Sequence, residues 1–365
     1  MSQNLFRFPI AWCVLISAIA LTSQPIESQA LPAPSSGLIN PRGIVFSPAN
    51  GKIYAVDTSH GAVEIYTNSD KPMHRVKVGA EPVSIAVNTS TGAVYVANDG
   101  DGTVSVLDGV SDAVVATVRI GRQPYSIAAD SVTGKVFVTH TFGDGTSMID
   151  GATNKVTDLK TGAVDLIAIN SRTGTVYLLG YGGGVKVLDE ATQKFVEQDL
   201  GRHAWGLTLD DSSGTVYVTR IENADLASVK TANSESLILH AGAIPCAIAV
   251  NAKAKLLYVA NNGDNSVSVV DATSGHTNAT IVVGDHPKGI AFDSDRNLVY
   301  VANTLGNSVT VIDADKNKVL ATLPAGKSPY ALAVVPGSSK LYVANESDDE
   351  ASTVVDLSGV HKTAQ

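Results

Sequence analysis

The sequence predicts an all-β protein assembled from repeated small sheets, and three observations support this prediction. Residues 287–326 hold three short apolar runs and a weaker fourth, separated by turns of Asp, Ser, Asn and Gly, which is the pattern of a four-stranded antiparallel sheet. The aromatic residue of the second run recurs every 40 to 42 residues, at Tyr54, Tyr95, Phe137, Tyr177, Tyr217, Tyr258, Tyr300 and Tyr342. A glycine recurs after the fourth run, at Gly79, Gly121, Gly162, Gly201, Gly242, Gly284 and Gly326. Repeats of about 40–45 residues with four strands each are typical of a β-propeller.

The first element, residues 1–30, has the features of a secretory signal peptide. Arg7 precedes an apolar run, Pro9–Leu21, and Ser28-Gln29-Ala30 offers small residues where a signal peptidase cleaves. An uncleaved membrane anchor is the alternative, although the run is short for a bilayer. Cleavage near Ala30 would leave Cys246 as the sole cysteine, so no intramolecular disulfide is expected. The sequence therefore predicts a secreted, periplasmic or cell-envelope protein.

The remaining chain divides into a short linker (31–37), one propeller domain (38–357) and a C-terminal tail (358–365). First strands begin near Arg42, Val83, Tyr125, Asp165, Trp205, Cys246, Lys288 and Tyr330, which predicts eight blades, with seven as the alternative. The eighth unit ends without a fourth strand, whereas Ser36–Asn40 lies where one would fall. We therefore predict that the N- and C-terminal strands pair, Ser36–Asn40 with Ser352–Asp356, and close the ring without an exposed sheet edge.

Several of these runs resemble a known family. VYVAN at 94–98 and 299–303, LYVAN at 257–261 and 341–345, and VIDADKNKV at 311–319 resemble the YVTN-type β-propeller repeat. The resemblance implies an exported or surface-attached propeller, usually with seven blades. It implies no single activity, because the family includes surface-layer components and periplasmic proteins, and related propellers include lactonases and dehydrogenase subunits.

Composition and motifs narrow the function classes. The chain has 26 Lys and Arg against 35 Asp and Glu, a formal charge of −9, which argues against nucleic acid as the main partner. HExxH, CxxC, Walker and GxSxG motifs do not occur, so no cofactor or metal is expected. Asp residues that end third strands and Asn residues that end second strands are interpreted as turn formers. Asp99-Gly100-Asp101-Gly102 is interpreted as a hairpin turn rather than a calcium loop.

The repeats stop agreeing in units three to five. The Asn that ends the second strand is replaced by His140, Gly180 and Arg220, and the Pro before the first strand by Val164 and Ala204 in units four and five. Loops carry most propeller binding residues, so we predict a ligand-binding sector there. Its candidates are Arg122, Gln123, Tyr125, His140, Asp165, Arg202, His203, Trp205 and Arg220, and the rim of the central channel adds Arg42, Glu81, His286, Lys288 and Tyr330. The alternative is repeat decay with solvated loops.

These residues predict an exported, non-enzymatic, monomeric propeller that binds a partner protein or a small anionic ligand. Aromatic rings would stack on a planar ligand, and arginines would pair with carboxylate or phosphate. Two alternatives stay open. One is a lactonase-like hydrolase or lyase that acts through His203, His140 and Asp165, although few carboxylates gather at the predicted channel mouth. The other is a structural surface-layer component.

Overall fold

The computed structural model describes residues 43–121, 123–141, 145–180, 182–201, 203–230, 236–346 and 351–362. Within these residues the chain forms 31 β-strands in eight antiparallel sheets and no helix. Each sheet follows the order of its strands along the chain. The fold is an eight-bladed β-propeller, which confirms the predicted eight blades over the seven of the resemblance.

The first four blades span residues 44–199. Blade 1 consists of β1 (Ile44–Ser47), β2 (Lys52–Asp57), β3 (Ala62–Tyr66) and β4 (His74–Lys77). Blade 2 consists of β5 (Pro82–Val87), β6 (Val94–Asn98), β7 (Thr103–Leu107) and β8 (Val114–Arg119). Blade 3 consists of β9 (Pro124–Ala129), β10 (Lys135–His140), β11 (Thr146–Asp150) and β12 (Val156–Leu159). Blade 4 consists of β13 (Leu166–Asn170), β14 (Thr175–Leu179), β15 (Gly184–Asp189) and β16 (Lys194–Asp199).

The other four blades span residues 204–356. Blade 5 consists of β17 (Ala204–Asp210), β18 (Thr215–Arg220), β19 (Asp225–Lys230) and β20 (Ser236–His240). Blade 6 consists of β21 (Pro245–Asn251), β22 (Leu256–Asn261), β23 (Ser266–Asp271) and β24 (Thr277–Val282). Blade 7 consists of β25 (Pro287–Asp293), β26 (Leu298–Asn303), β27 (Ser308–Asp313) and β28 (Lys318–Pro324). Blade 8 consists of β29 (Pro329–Val334), β30 (Lys340–Asn345) and β31 (Ser352–Asp356).

The hydrophobic core lies between neighbouring blades. The second strands are apolar on both faces and almost completely buried, as in β6 and β26, because each is covered by a blade on either side. The fourth strands, such as β8 and β16, form the outer edges and are largely exposed. This difference explains why the fourth run of each repeat is the weakest in the sequence.

In several blades the recurring tyrosine of the second strand contacts the following blade. The Tyr54 hydroxyl lies 3.4 Å from Asp112 of blade 2, and that of Tyr258 donates to the Ala314 carbonyl of blade 7 at 3.4 Å. The Tyr342 hydroxyl of blade 8 donates to the Ser69 carbonyl of blade 1 at 3.1 Å. Because blade 8 reaches blade 1 through the same contact, the ring is closed by the described residues themselves.

The seam between blades 8 and 1 carries additional buried contacts. The ring of Tyr66 meets that of Tyr342 edge-to-face at 5.3 Å, and its hydroxyl lies 2.7 Å from Ser352 Oγ. Buried Glu64 accepts a hydrogen bond from Ser352 and binds Arg75. The predicted partner strand, Ser36–Asn40, lies outside the described residues. Among the described residues, β31 pairs with β30 alone.

The seam between blades 3 and 4 departs from this pattern. Phe137 replaces the tyrosine, so no hydroxyl is available, and a buried pair of carboxyls lies there instead. Glu190 is 2% exposed and Asp130 is fully buried, and Lys135 Nζ lies 3.2 Å from Glu190 Oε1. Burial, followed by a hydrogen bond with Asp130, raises the pKa of Glu190.

Candidate functional site

We call the side of the ring that carries the interblade loops and the turns between second and third strands the loop face, and the opposite side the turn face. At six interblade loops the residue just before the first strand has a left-handed φ between 49° and 56°: Glu81, Gln123, His203, Ile244, His286 and Ser328. The carbonyl of this residue accepts the N–H that follows the second strand, as from Asp99 to Glu81 at 2.9 Å. Because the left-handed φ recurs at equivalent positions, it is a feature of the repeat and does not mark one strained site.

A β-bulge follows directly, at the second residue of the innermost strand. The register shifts between Pro82 and Ser84, and in the same way at the start of β17, β21, β25 and β29. Bulges of this kind redirect the extra residue out of the ladder. These second residues, together with Asp165 at the aligned position just before β13, form what we call the channel-mouth ring: Val83, Tyr125, Asp165, Trp205, Cys246, Lys288 and Tyr330. The blade 1 member, Arg42, lies outside the described residues.

Neighbouring members of the channel-mouth ring contact one another. Cys246 Sγ is buried against the main chain of blade 7, 3.2 Å from the Pro287 carbonyl and 3.8 Å from that of Lys288. Lys288 Nζ lies 5.1 Å from the centre of the Tyr330 ring and 3.5 Å from Glu346 Oε1. The ammonium is therefore held between an aromatic face and a carboxylate, with its side chain 11% exposed.

On the other side of the ring, Tyr125, Asp165 and Trp205 come from three consecutive blades. All three are half-buried. Burial, and then the charge of Asp165, raises the pKa of Tyr125, which places the two side chains in one electrostatic environment. Trp205 packs against an apolar cluster of blades 6 and 7. The indole is therefore only partly exposed.

The Asn residues that end second strands are not turn formers, contrary to the interpretation from sequence. Asn98 is fully buried, and its amide donates to Thr103 Oγ1 and Ser105 Oγ, both at 3.0 Å. Asn261 makes the same bridge to Ser266 and Ser268. The amide therefore ties the second strand to the third, at positions five and seven residues further on. The Asp residues at the ends of third strands do accept turn N–H groups, as Asp108 does from Ser111 at 2.7 Å.

The substitutions in blades 3 and 5 replace this amide bridge. His140 is buried, with Nε2 2.9 Å from Oγ of Ser147, seven residues on. Arg220 binds Asp225, five residues on, through two hydrogen bonds of 2.7 and 2.6 Å, and donates to the Leu200 carbonyl at 2.9 Å. Both side chains thus have structural partners. Asp225 is not among the residues predicted from the sequence, although its spacing of five residues repeats that of the Asn–hydroxyl pairs.

The glycines of the interblade loops also differ between the loops in front of blades 3–5 and the other described loops. A Cβ on Gly242 would lie 2.6 Å from the Asn261 side chain, and Gly79, Gly284 and Gly326 likewise face an Asn. In front of blades 3, 4 and 5, a Cβ on Gly121, Gly162 or Gly201 would meet no atom closer than 3.8 Å, but these residues have φ between 72° and 105°. The loops in front of blades 3–5 therefore follow a different backbone path from those in front of blades 2, 6, 7 and 8.

Other predicted residues lie on the loop face outside the channel-mouth ring. Gln123 and Glu81 are exposed, and burial together with the charge of Glu81 raises the pKa of Asp99. His203 Nδ1 lies 2.5 Å from Glu222, and His286 Nδ1 lies 2.8 Å from Asp285. Arg122 and Arg202 lie outside the described residues. Among the described residues, no three His, Cys, Asp or Glu side chains converge as metal ligands, and no helix is long and apolar enough to cross a membrane.

The comparisons with known proteins agree with this architecture. The profile of the YNCE-like beta-propeller family matches residues 72–365. No curated protein matches the chain significantly. Similar solved structures include hydrazine synthase from Kuenenia stuttgartiensis, with a TM-score of 0.61 and 16% identity over 93% of this chain and 99% of that one. Others are Sqt1 of Saccharomyces cerevisiae (TM-score 0.72, 13% identity, 87% and 96%) and the computationally designed Ika8 protein (0.70, 12%, 86% and 96%). At these identities the likeness shows the fold alone.

Proposed function

Since the chain belongs to the YNCE-like beta-propeller family, we propose that it is an exported, non-enzymatic binding protein that takes a partner polypeptide on its loop face. The observation that carries the proposal is the channel-mouth ring. It presents half-buried Tyr125 and Trp205 on one face of a rigid ring, and aromatic side chains of this kind are the commonest anchors at protein interfaces. The fold itself is consistent with a binding or scaffold role.

The surroundings of the ring favour a polypeptide over a small anion. Ile244 and Leu305, which lie on the loop face, are 41% and 58% exposed. Exposed apolar side chains beside aromatic anchors are typical of protein interfaces. Arg220 and Lys288, which would have been candidate anion ligands, are each engaged by a carboxylate of the same chain. We therefore do not extend the proposal to a small carboxylate or phosphate ligand.

A selection from a displayed random-peptide library against the immobilised protein tests this proposal. Binders should lose about 2 kcal/mol or more of affinity, roughly 30-fold, when Trp205→Ala removes the anchor. Val110→Ala is the matched control, because Val110 is 84% exposed on the turn face. Binders that tolerate Trp205→Ala and Tyr125→Ala but are lost with Val110→Ala would place the binding face on the opposite side and overturn the proposal.

The export part of the proposal rests on residues 1–30, which have a charged start, an apolar run and small residues before Leu31. We expect the mature protein to begin at Leu31 or close to it when it is isolated from its own cell. Intact-mass measurement checks this. Recovery from the cytosol with residues 1–30 attached would contradict export and would leave the binding proposal untouched.

A further inference from the structure

We propose that Asp130 and Glu190 share one proton, which makes the seam between blades 3 and 4 a pH-sensitive joint. While the pair holds this proton, the two carboxyls attract each other and keep the seam closed. Once the proton has passed to solvent, two carboxylates are buried side by side and the seam opens more often. This inference concerns the turn face and does not depend on binding at the loop face.

At the ordinary seams, a tyrosine hydroxyl occupies the space between two blades. The Tyr54 hydroxyl of blade 1 lies 3.5 Å from the Gly109 carbonyl oxygen of blade 2. At the next seam, a Cβ on Gly151 of blade 3 would lie 2.8 Å from the Tyr95 hydroxyl. A long side chain therefore does not fit opposite the hydroxyl, and this position is glycine or alanine in blades 2, 3, 6 and 7.

Blades 3 and 4 change both members of this contact. Phe137 replaces the tyrosine, and Glu190 replaces the glycine or alanine opposite it. Glu190 is 2% exposed, and its Oε1 lies 3.2 Å from Lys135 Nζ of blade 3. The carboxyl of blade 4 therefore lies within the seam from which the hydroxyl is missing.

The same exchange removes a hydrogen-bond donor from Asp130. Its Oδ1 accepts the N–H groups of Val132 and Thr133 at 2.7 and 3.1 Å. Asp293, at the corresponding position of blade 7, also accepts turn N–H groups, and its Oδ2 accepts the Tyr300 hydroxyl at 3.2 Å. Blade 3 has phenylalanine in place of that tyrosine. Asp130 Oδ2 is buried and receives no hydrogen bond from any N–H or hydroxyl group in the described part of the chain, so it needs another donor.

Glu190 can supply this donor only as a carboxylic acid. Ionised carboxylates accept hydrogen bonds and do not donate them, so the contact between Glu190 and Asp130 needs a proton on one of the two. Burial, followed by this hydrogen bond with Asp130, raises the pKa of Glu190, whereas Thr133 and Lys135 oppose the shift. One proton between the carboxyls satisfies Asp130 Oδ2 and removes one of two buried negative charges.

The other charged groups around the pair do not neutralise it when both carboxyls are ionised. Lys135 is the cation beside Glu190. Hydrogen bonds within its own turn, and then the charge of Lys135, lower the pKa of Asp150, so this ammonium also faces a third carboxylate. Blade 2 contacts the pair through an uncharged group, the amide of Asn88, which donates to the Asp130 carbonyl at 3.4 Å. One ammonium therefore faces three carboxylates, and loss of the shared proton leaves an uncompensated buried charge.

Linkage gives the direction of the pH effect. An open seam exposes the carboxyls to water, so their proton leaves near the ordinary carboxyl pKa of about 4, whereas the closed seam retains it up to the raised value. Between these two values, the equilibrium constant for opening should rise by up to about tenfold per pH unit. Above the raised value it should become constant.

Amide hydrogen exchange across this pH range, corrected for the intrinsic exchange rate, tests the joint. We expect the protection of β10 and β14, on the two sides of the seam, to fall by up to about tenfold per pH unit, and that of β26 in blade 7 to stay constant. Asp130→Asn should abolish this dependence, because its amide donates to Glu190 at every pH. Asn88 and Asn170 occupy the corresponding position in blades 2 and 4 and form the same turn, so the variant is expected to fold.

Two further variants separate the pair from its surroundings. Asp210→Asn changes the same turn position in blade 5 and is the matched control, which should keep the natural pH dependence of β10 and β14. Phe137→Tyr combined with Glu190→Gly recreates the contact of Tyr95 with Gly151, and we expect the pH dependence to disappear.

Carbon-13 NMR of the carboxyl groups tests the shared proton in the natural protein, without any variant. At about pH 5, where ordinary carboxyls are mostly ionised, the resonances of Asp130 and Glu190 should still show one proton between them. Ionisation of both carboxyls at that pH would overturn the inference. Protection of β10 and β14 that does not change with pH, or that changes equally in Asp130→Asn and in the natural protein, would overturn it as well.

Discussion

At the scale of single residues, one position recurs with different chemistry. The residue that ends the second strand ties that strand to the third through an amide, an imidazole or a guanidinium in different blades, whereas Gly180 of blade 4 has no side chain to do so. Asn98 uses two hydroxyls, His140 uses one, and Arg220 uses the carboxylate of Asp225. A substitution that looks functional in the sequence can therefore be a different solution to the same structural requirement.

This equivalence predicts the behaviour of two variants in blade 5. Arg220→Asn alone should cost about 3–5 kcal/mol in the free energy of unfolding, because it leaves the carboxylate of Asp225 buried without its charge partner. Arg220→Asn combined with Asp225→Ser recreates the pair formed by Asn261 and Ser266, and we expect it to recover most of that loss. Urea unfolding measures both. Equal stability of the single and double variants would contradict the shared role.

The buried carboxyl of Glu190 predicts a pH dependence. Because its pKa is raised in the folded protein, the group contributes stability below its unfolded-state pKa, and this contribution is lost as the pH rises through the folded-state value. A pKa that differs by one between the folded and unfolded states corresponds to about 1.4 kcal/mol in the free energy of unfolding. Glu190→Gln should therefore gain stability relative to the natural protein as the pH rises from the unfolded-state pKa of about 4.3 through the raised folded-state pKa.

Unfolding of both proteins across that pH range measures the difference. Asp130, which shares a hydrogen bond with Glu190, and Lys135 remain in place, so the comparison reports the carboxyl of Glu190 together with its effect on Asp130. A stability difference that is constant with pH, or that favours the natural protein more strongly as the pH rises, would show that the ion pair with Lys135 dominates instead.

The sequence predicts some of these residue roles and not others, for a physical reason. The spacing of repeats locates every strand end, so the unusual nature of blades 3–5 is visible without a structure. Lys288 contacts Glu346 across a long separation in sequence. His203 contacts Glu222 within blade 5, whose loops depart from the repeat pattern. Such pairs have no periodic signal. Arg220 looks like a ligand-binding residue in the sequence because its partner, Asp225, lies on the next strand and outside the varied loop positions.

At the scale of elements, the interblade loop is the part of the repeat that varies. Two backbone paths occur, and each needs glycine for its own reason: Gly242 because a Cβ would collide with Asn261, and Gly162 because its φ is 72°. The same glycine position of the repeat is thus under a steric constraint in some blades and under a backbone-dihedral constraint in others. The sequence alone cannot separate them, since both appear as the same letter.

Asparagine substitutions distinguish the two paths. Asn tolerates left-handed φ better than other residues, so Gly162→Asn should cost about 1 kcal/mol or less. Gly242→Asn should be much more destabilising, because its Cβ would lie 2.6 Å from the side chain of Asn261 in a buried bridge. Thermal unfolding of the two single variants checks this order. The reverse order would mean that the backbone path, and not the Asn contact, sets the requirement at Gly242.

At the scale of the whole molecule, the number of blades follows from the repeat count and the closure from one recurring contact. Tyr342 reaches blade 1 as Tyr54 reaches blade 2. The family resemblance implies seven blades, whereas the aromatic positions counted along the sequence give eight. The count is more reliable than the analogy because each aromatic marks one complete sheet.

Deletion of residues 31–40 tests how the last blade is completed. If Ser36–Asn40 pairs with β31, its loss leaves an unpaired edge, and the melting temperature should fall by several degrees. Deletion of residues 31–35 is the matched control, since it removes the linker and leaves the predicted strand. Equal melting temperatures for the two deletions would contradict the predicted pairing.

Closure also determines how the molecule can open. In a linear repeat array, the terminal units have one neighbour each and fray first. Here every blade has two neighbours, so no unit is terminal, and local opening must begin at a seam. The seam between blades 3 and 4 has no tyrosine hydroxyl and buries two carboxyls. We therefore expect this interface to be the least stable of the contacts between blades. Amide hydrogens of blades 3 and 4 should therefore exchange earliest among the buried second strands. The blades that carry Tyr125 and Asp165 are thus also those whose spacing around the axis is the easiest to adjust.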